Sequence, residues 1–168
     1  MLNEQLDEYI DFLKFEKGLS LNTIEAYRRD ISSFINYVQA DNIKSAEKIK
    51  RQDISSYTAH LSLNNIKPSS VVRKIASIKG FFRFLNARQE INNNPSINTP
   101  TPKMPKRLPK VVTVDEIEKI LKNKMTNEER AIFELLYATG LRVSELVNLE
   151  ISNIDLKNNK IFDKTPLF

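Results

Sequence analysis

The chain contains no cysteine. That excludes a disulfide framework, a thiolate nucleophile and any Cys-ligated zinc or iron–sulfur centre. It has a single histidine, His60, which supplies neither an imidazole metal cluster nor both partners of a two-histidine mechanism. No apolar run approaches the roughly 20 residues that a membrane-spanning helix requires. The opening Met1-Leu2-Asn3-Glu4-Gln5 lacks the basic then apolar order of a secretory signal. These absences fit a cytoplasmic protein with no membrane partner. Glycine is scarce, with three among 168 residues, while apolar residues make up 40% and charged residues 28%. Collagen-like and long disordered chains are thereby excluded, leaving one folded domain or two small ones.

The net charge of +5 is modest, but it is unevenly spread. Residues 61–110 hold ten Lys or Arg against one acid, Glu90, a local charge of +9. The rest of the chain carries 16 basic and 20 acidic groups. A basic stretch in an otherwise acidic chain is a surface suited to a polyanion. On charge alone, a solvated helix face beside a basic linker explains it equally well.

Apolar residues recur at helical spacing through most of the chain. Leu6, Tyr9, Ile10 and Leu13 mark a first helix that stops at Gly18. Ser20 caps a second, with Ile24, Tyr27, Ile31, Phe34, Ile35 and Val38 inward. Asp53 is expected to cap a third, carrying Ile54, Tyr57 and Leu61. A fourth follows Pro68, with Ser69 as its expected cap and Val71, Ile75, Ile78, Phe82 and Leu85 on one stripe. Four amphipathic helices joined by short loops predict a helical bundle over residues 1–91. Residues 92–112 hold five of the seven prolines and read as an extended linker, because proline removes amide donors and restricts its predecessor. In residues 113–168 the capping boxes Thr113-Val114-Asp115-Glu116 and Thr126-Asn127-Glu128-Glu129 start two helices. The second ends at Gly140, and a short helix over 143–149 follows. Ile154-Asp155-Leu156 and Lys160-Ile161-Phe162 predict a hairpin.

Three groups of residues are candidates for function. On the fourth helix, Arg73, Ser77 and Gly80 are expected to face away from the apolar stripe, flanked by Ser70, Lys74 and Lys79. A basic face with small residues suits close approach to duplex DNA, although ordinary surface lysines give the same pattern. The adjoining linker cations Lys106 and Arg107 extend this first group and can track a phosphate backbone. Asn22, Thr23 and Arg28, at and beyond the start of the second helix, offer donors beside free backbone N–H groups, which suits phosphate; a cap with ordinary surface residues reads the same way. Finally, Gly140 places Arg142 at the start of a helix, where a guanidinium can grip a phosphate bidentately. Glu145 is placed to orient it, or to form a plain surface pair.

The run LLYATGLRVSELVNLEISNIDL (Leu135–Leu156) resembles the first catalytic motif of tyrosine recombinases, in their Xer-type and phage-integrase-like branch. EKGLSLNTIEAYRRDI (Glu16–Ile31), PSSVVRKIASIKGFFRFL (Pro68–Leu85) and PKRLPKVVTVDEIEKIL (Pro105–Leu121) resemble the same family in the same order. The resemblance implies a mainly α protein. It would have an N-terminal four-helix core-binding (SAM-like) domain, a Pro-rich basic linker, and the helical start and first β-hairpin of a catalytic domain. In the family the two domains clamp double-stranded DNA, and a tyrosine attacks the scissile phosphate without any cofactor, metal or small-molecule ligand. Cationic groups stabilise the phosphorane-like transition state. The resemblance assigns the family's first catalytic arginine to Arg142 and its acidic support to Glu145. It implies other recombinase subunits as partners.

The sequence then departs from the family pattern. Lys164 lies near the position of the catalytic lysine but lacks the glycine-rich turn, so that role is not carried onto it. The H-x-x-R motif, the later His or Trp and the nucleophilic Tyr have no counterpart. The expectation is a shortened chain that binds DNA for site-specific recombination or integration and neither cuts nor joins it alone. A second expectation is a non-catalytic regulator that occupies recombination sites or pairs with a full-length recombinase.

Overall fold

The computed structural model describes residues 1–102 and 111–162. The chain divides into two compact units, Met1–Arg107 and Leu108–Phe168. No helix among the described residues is long and apolar enough to cross a membrane.

The first unit is a helical bundle. Helix α1 (Leu2–Asp11) continues into one turn of π-helix, Phe12–Glu16. Leu2, Leu6, Tyr9, Ile10 and Leu13 recur along this segment and are all buried. Helix α2 (Leu21–Ala40) starts at Ser20, whose Oγ accepts from the Thr23 amide at 3.4 Å. It buries Ile24, Ile31, Phe34, Ile35 and Val38. Helix α3 (Arg51–Leu63) contributes Ile54, Tyr57 and Leu61 to the same core. Tyr57 stays in the core because its hydroxyl pairs with Ser33 Oγ at 2.8 Å, which satisfies the polar end of a large apolar side chain.

Helix α4 (Pro68–Ala87) is the central element and packs against α1, α2 and α3. Its expected stripe of Val71, Ile75, Ile78, Phe82 and Leu85 is buried. A second set, Ser77, Phe81 and Phe84, is buried as well. The polar face expected for α4 is corrected on this point: Ser77 and Gly80 face neighbouring helices, Ser77 against Asp30 of α2 and Gly80 against Tyr9 of α1. Two caps are corrected too. Asp53 is the third residue of α3 and not the one before it; from there its carboxylate accepts from the Lys50 amide at 2.7 Å. Helix α4 begins with Pro68 itself, leaving Ser69 inside the first turn; proline suits that position because the amide it lacks would have had no helical partner.

The stretch after α4 is not extended throughout. Ile91, Ser96 and Thr99 are buried within the first unit. Asn94 Oδ1 accepts from the Ser96 amide at 2.9 Å and from its hydroxyl at 2.7 Å. Glu47 accepts from the backbone and side chain of Asn92. Residues 92–102 therefore fold back onto the bundle, because side chains satisfy the amides that proline-rich sequence leaves without a ladder.

In the second unit, α5 (Val114–Lys122) and α6 (Asn127–Thr139) start from the two expected capping boxes. The Thr113 amide donates to Glu116 at 2.8 Å, and the Thr126 amide to Glu129 at 2.8 Å. Helix α6 ends at Gly140, which has φ +67°, a conformation that glycine adopts without steric cost. Helix α7 (Val143–Val147) is two residues shorter than expected. Strands β1 (Ile154–Asp155) and β2 (Lys160–Ile161) pair antiparallel, with Ile154 opposite Ile161. Among the described residues of this unit only Asn153 is buried. Val143, Val147, Ile151 and Leu156 are exposed, so the described residues of this unit form no closed apolar core.

Candidate nucleic-acid interface and phosphate-binding arginine

Two of the three candidate groups lie on the first unit. At the start of α2, Asn22 is exposed and Thr23 half-buried, with the Ser20 and Thr23 hydroxyls 2.9 Å apart. Arg28 is exposed and donates to Asp7 Oδ1 at 2.5 Å, tying α2 to α1.

On α4, Ser70 is half-buried at the start of the helix. One turn on, Arg73 and Lys74 converge on a single carboxylate, Asp30 of α2. Arg73 Nη1 donates to Asp30 Oδ2, and Lys74 Nζ lies 3.3 Å from Oδ1. Ser77 Oγ donates to Asp30 Oδ2 at 3.3 Å. The side chain of Asp30 is 1% exposed, that of Lys74 14% and that of Arg73 42%. Ser77 therefore faces α2 and not the solvent expected of a DNA-facing hydroxyl. Lys79 donates to the Thr99 carbonyl at 2.8 Å and to Thr101 Oγ1 at 3.1 Å, pinning the segment that follows α4. Lys106 and Arg107 lie outside the described residues.

Sequence reading missed Asp30. A signal was present, since Tyr27, Asp30 and Phe34 fall 3 and 4 apart, placing a carboxylate on an otherwise apolar stripe. It also missed a cavity of about 420 Å³ between the π-helical turn and the second half of α4, lined by Tyr9, Phe12, Lys17, Arg83, Phe84 and Arg88 among others. Tyr9 and Tyr57 have hydroxyl pKa values raised above the ordinary tyrosine range, chiefly because burial disfavours the phenolate.

The third group lies on the second unit. Gly140 ends α6, the chain turns through Leu141, and Arg142 precedes the first turn of α7. Glu145 holds Arg142 at two points. Its Oε2 accepts from the Arg142 amide at 2.7 Å, and its Oε1 accepts from the guanidinium at 2.6 Å. The Arg142 side chain is 82% exposed and that of Glu145 only 14%. The carboxylate is thus tucked in, while the guanidinium is presented outward at a helix start.

The family model described as phage integrase, N-terminal SAM-like domain, matches residues 6–89, half of the chain. The chain belongs to the phage integrase family of tyrosine recombinases. A second model, described as phage integrase family, matches residues 110–163 of this recombinase-family chain and so includes Arg142 and Glu145. Tyrosine recombinase XerC of Herpetosiphon aurantiacus is 35% identical over 166 residues, covering 95% of this chain and 54% of that protein. Tyrosine recombinase XerD of Listeria innocua is 38% identical over 162 residues, covering 93% and 54%. The recombinase-family chain therefore spans about half the length of the curated relatives it matches. Among solved structures, a lambda integrase tetramer bound to a Holliday junction superposes with a TM-score of 0.72 at 24% identity, over 92% of this chain and 45% of that one. The Tn1549 transposon integrase, in complex with circular intermediate DNA, gives 0.68 at 19% identity over 95% and 53%. These two likenesses show a shared fold.

Proposed function

We propose that these 168 residues bind double-stranded DNA as the DNA-engaging part of a site-specific tyrosine recombinase or integrase. The observation that carries this reading is the Glu145-held, outward-facing Arg142 inside a stretch that matches the family. A guanidinium whose backbone and side chain are both fixed by one carboxylate meets a phosphate with little loss of freedom. The DNA-bound state of the solved relatives supports the same reading. The first unit supplies the phosphate-contacting surface: the start of α2, the exposed edge of α4 around Ser70 and Arg73, and the cations Lys106 and Arg107 beyond it.

In this reading Arg142 stabilises charge on a phosphate but performs no strand exchange by itself. Cleavage of the family type needs a tyrosine oxygen to attack phosphorus, the bond to the leaving oxygen to break, and a proton to reach that oxygen. The five tyrosines all lie on helices: Tyr9 and Tyr57 are buried, Tyr27 and Tyr37 are half-buried against the core, and Tyr137 of α6 is exposed but falls in no nucleophile motif of the family. In this reading the 168 residues bind DNA and do not cut it alone. A salt titration of the chain on a labelled duplex tests the binding: log affinity should fall linearly with log salt, by about 0.9 for each phosphate neutralised. Affinity that is independent of salt would refute the reading. Incubation with a nicked duplex followed by a denaturing gel tests the chemistry. A protease-sensitive covalent band that a Tyr→Phe change abolishes would overturn the non-cutting half of the proposal.

A further inference from the structure

Arg73 combines two properties that rarely occur together. It is half in solvent, yet its guanidinium is anchored to a fully buried carboxylate on another helix. Asp30 lies on the inward stripe of α2 with its side chain 1% exposed, and three α4 side chains meet it. Ser77 and Arg73 share Oδ2, while Lys74 faces Oδ1, which accepts no hydrogen bond from the described residues. The single Ser77 hydroxyl proton is shared between Asp30 Oδ2 and the Arg73 carbonyl, 3.1 Å from Oγ, so the group is tied to the α4 backbone as well. A guanidinium carries five N–H donors. One contact to Asp30 leaves others for an external acceptor, and 42% of the side chain is open to solvent.

We propose that Asp30 is a positioning residue for DNA phosphate. It holds the Arg73 guanidinium in one place on the edge of α4, so that a backbone phosphate meets a side chain already ordered. The inference rests on the DNA-binding reading above and goes further, by making an acidic, buried residue necessary for affinity. The physical basis is preorganisation. Fixing a long side chain in advance is worth roughly two- to tenfold in affinity, and an anchored guanidinium also sets the angle of approach.

Simple charge counting predicts the opposite sign. Asp30 is a negative charge beside the proposed interface, so neutralising it should strengthen DNA binding if it serves only as a counterion for Arg73 and Lys74. The test is a double-mutant cycle on the full chain, with Asp30→Asn, Arg73→Gln and the two combined. Affinity for a labelled mixed-sequence duplex is titrated across a salt series, and cooperative melting confirms that each variant is folded. Arg73→Gln should weaken binding and lower the salt slope by about 0.9. Asp30→Asn should weaken binding roughly two- to tenfold despite its extra positive charge. In the Arg73→Gln background it should add no further weakening, because its effect passes through Arg73.

Equal or tighter binding by Asp30→Asn, with Arg73→Gln still weakened, overturns the positioning role and leaves the DNA reading intact. An unchanged affinity for Arg73→Gln overturns both for this face of α4. If Asp30→Asn does not fold, Ser77→Ala takes its place. It removes a donor from Oδ2 without changing charge, and the proposal requires it to weaken binding; wild-type affinity would overturn the role.

Discussion

Gly80 of α4 and Tyr9 of α1 meet so closely that a Cβ on Gly80 would fall 2.4 Å from the Tyr9 hydroxyl oxygen. Tyr9 cannot swing aside, because it is buried and its ring packs against Phe81 and Phe84 at centroid distances of 5.7 and 5.2 Å. Gly80→Ala should therefore destabilise the first unit by about 1–2 kcal/mol, overpacking outweighing the gain in helix propensity. In a Tyr9→Phe background the clashing oxygen is gone, and the same change should be neutral or stabilising by up to about 1 kcal/mol. Urea melts of the four proteins measure this. Equal costs in both backgrounds would mean that the contact with the hydroxyl is not what excludes a side chain at position 80.

The Asp30 cluster also bears on stability. Replacing both Arg73 and Lys74 by Ala leaves a buried carboxylate whose remaining hydrogen-bond donor among the described residues is Ser77. Breaking a buried pair costs about 3 kcal/mol or more, discounted here because Arg73 is partly solvated. The double variant should lose about 2–3 kcal/mol by denaturant melting, whereas Lys67→Ala, at the exposed start of α4, should lose under about 0.5 kcal/mol. Equal losses would show that Asp30 is not held by its two cations.

Alkaline pH should destabilise the first unit. Burial holds the Tyr9 and Tyr57 hydroxyls protonated beyond the ordinary range, whereas in the unfolded chain they ionise near pH 10. Above that value the unfolded state loses protons that the folded state keeps, so stability is full below about pH 10 and falls as pH rises. Tyr9→Phe should flatten the decline in thermal midpoint above about pH 10. An unchanged slope would count against Tyr9 as a source of it.

Residues 1–102 should fold alone with a cooperative melt, since the buried apolar core among the described residues runs from Leu2 to Ile91. A chain ending at Glu90 should still fold but be weaker by about 2 kcal/mol or more, having lost the buried Ile91 side chain. It also loses the Lys79 contact with Thr99. Identical midpoints for the two lengths would mean that residues 91–102 add nothing.

What the sequence determined by itself was local. Ser20, Thr113 and Thr126 mark helix starts, because a capping hydroxyl acts on an amide only three residues away. Gly140 marks a helix end for an equally local reason, and the Arg142–Glu145 pair follows from helical spacing. Asp53 and Ser69 show the limit, since nearby residues competed for each boundary and Lys50 and Pro68 set them. The interior of the first unit was decided only by tertiary structure. Helix α4 carries apolar residues on two stripes, one through Ile75 and Phe82 and the other through Phe81 and Phe84, so its own periodicity does not say which polar residues are covered. Ser77 is buried because α2 lies over it, and Gly80 is half-covered because Tyr9 of α1 lies against it. Asp30, 43 residues before Arg73, becomes the common partner of Arg73, Lys74 and Ser77 only when α2 and α4 pack together. A buried charge of this kind depends on partners distant in the chain, and no pattern within one helix encodes where those partners will be.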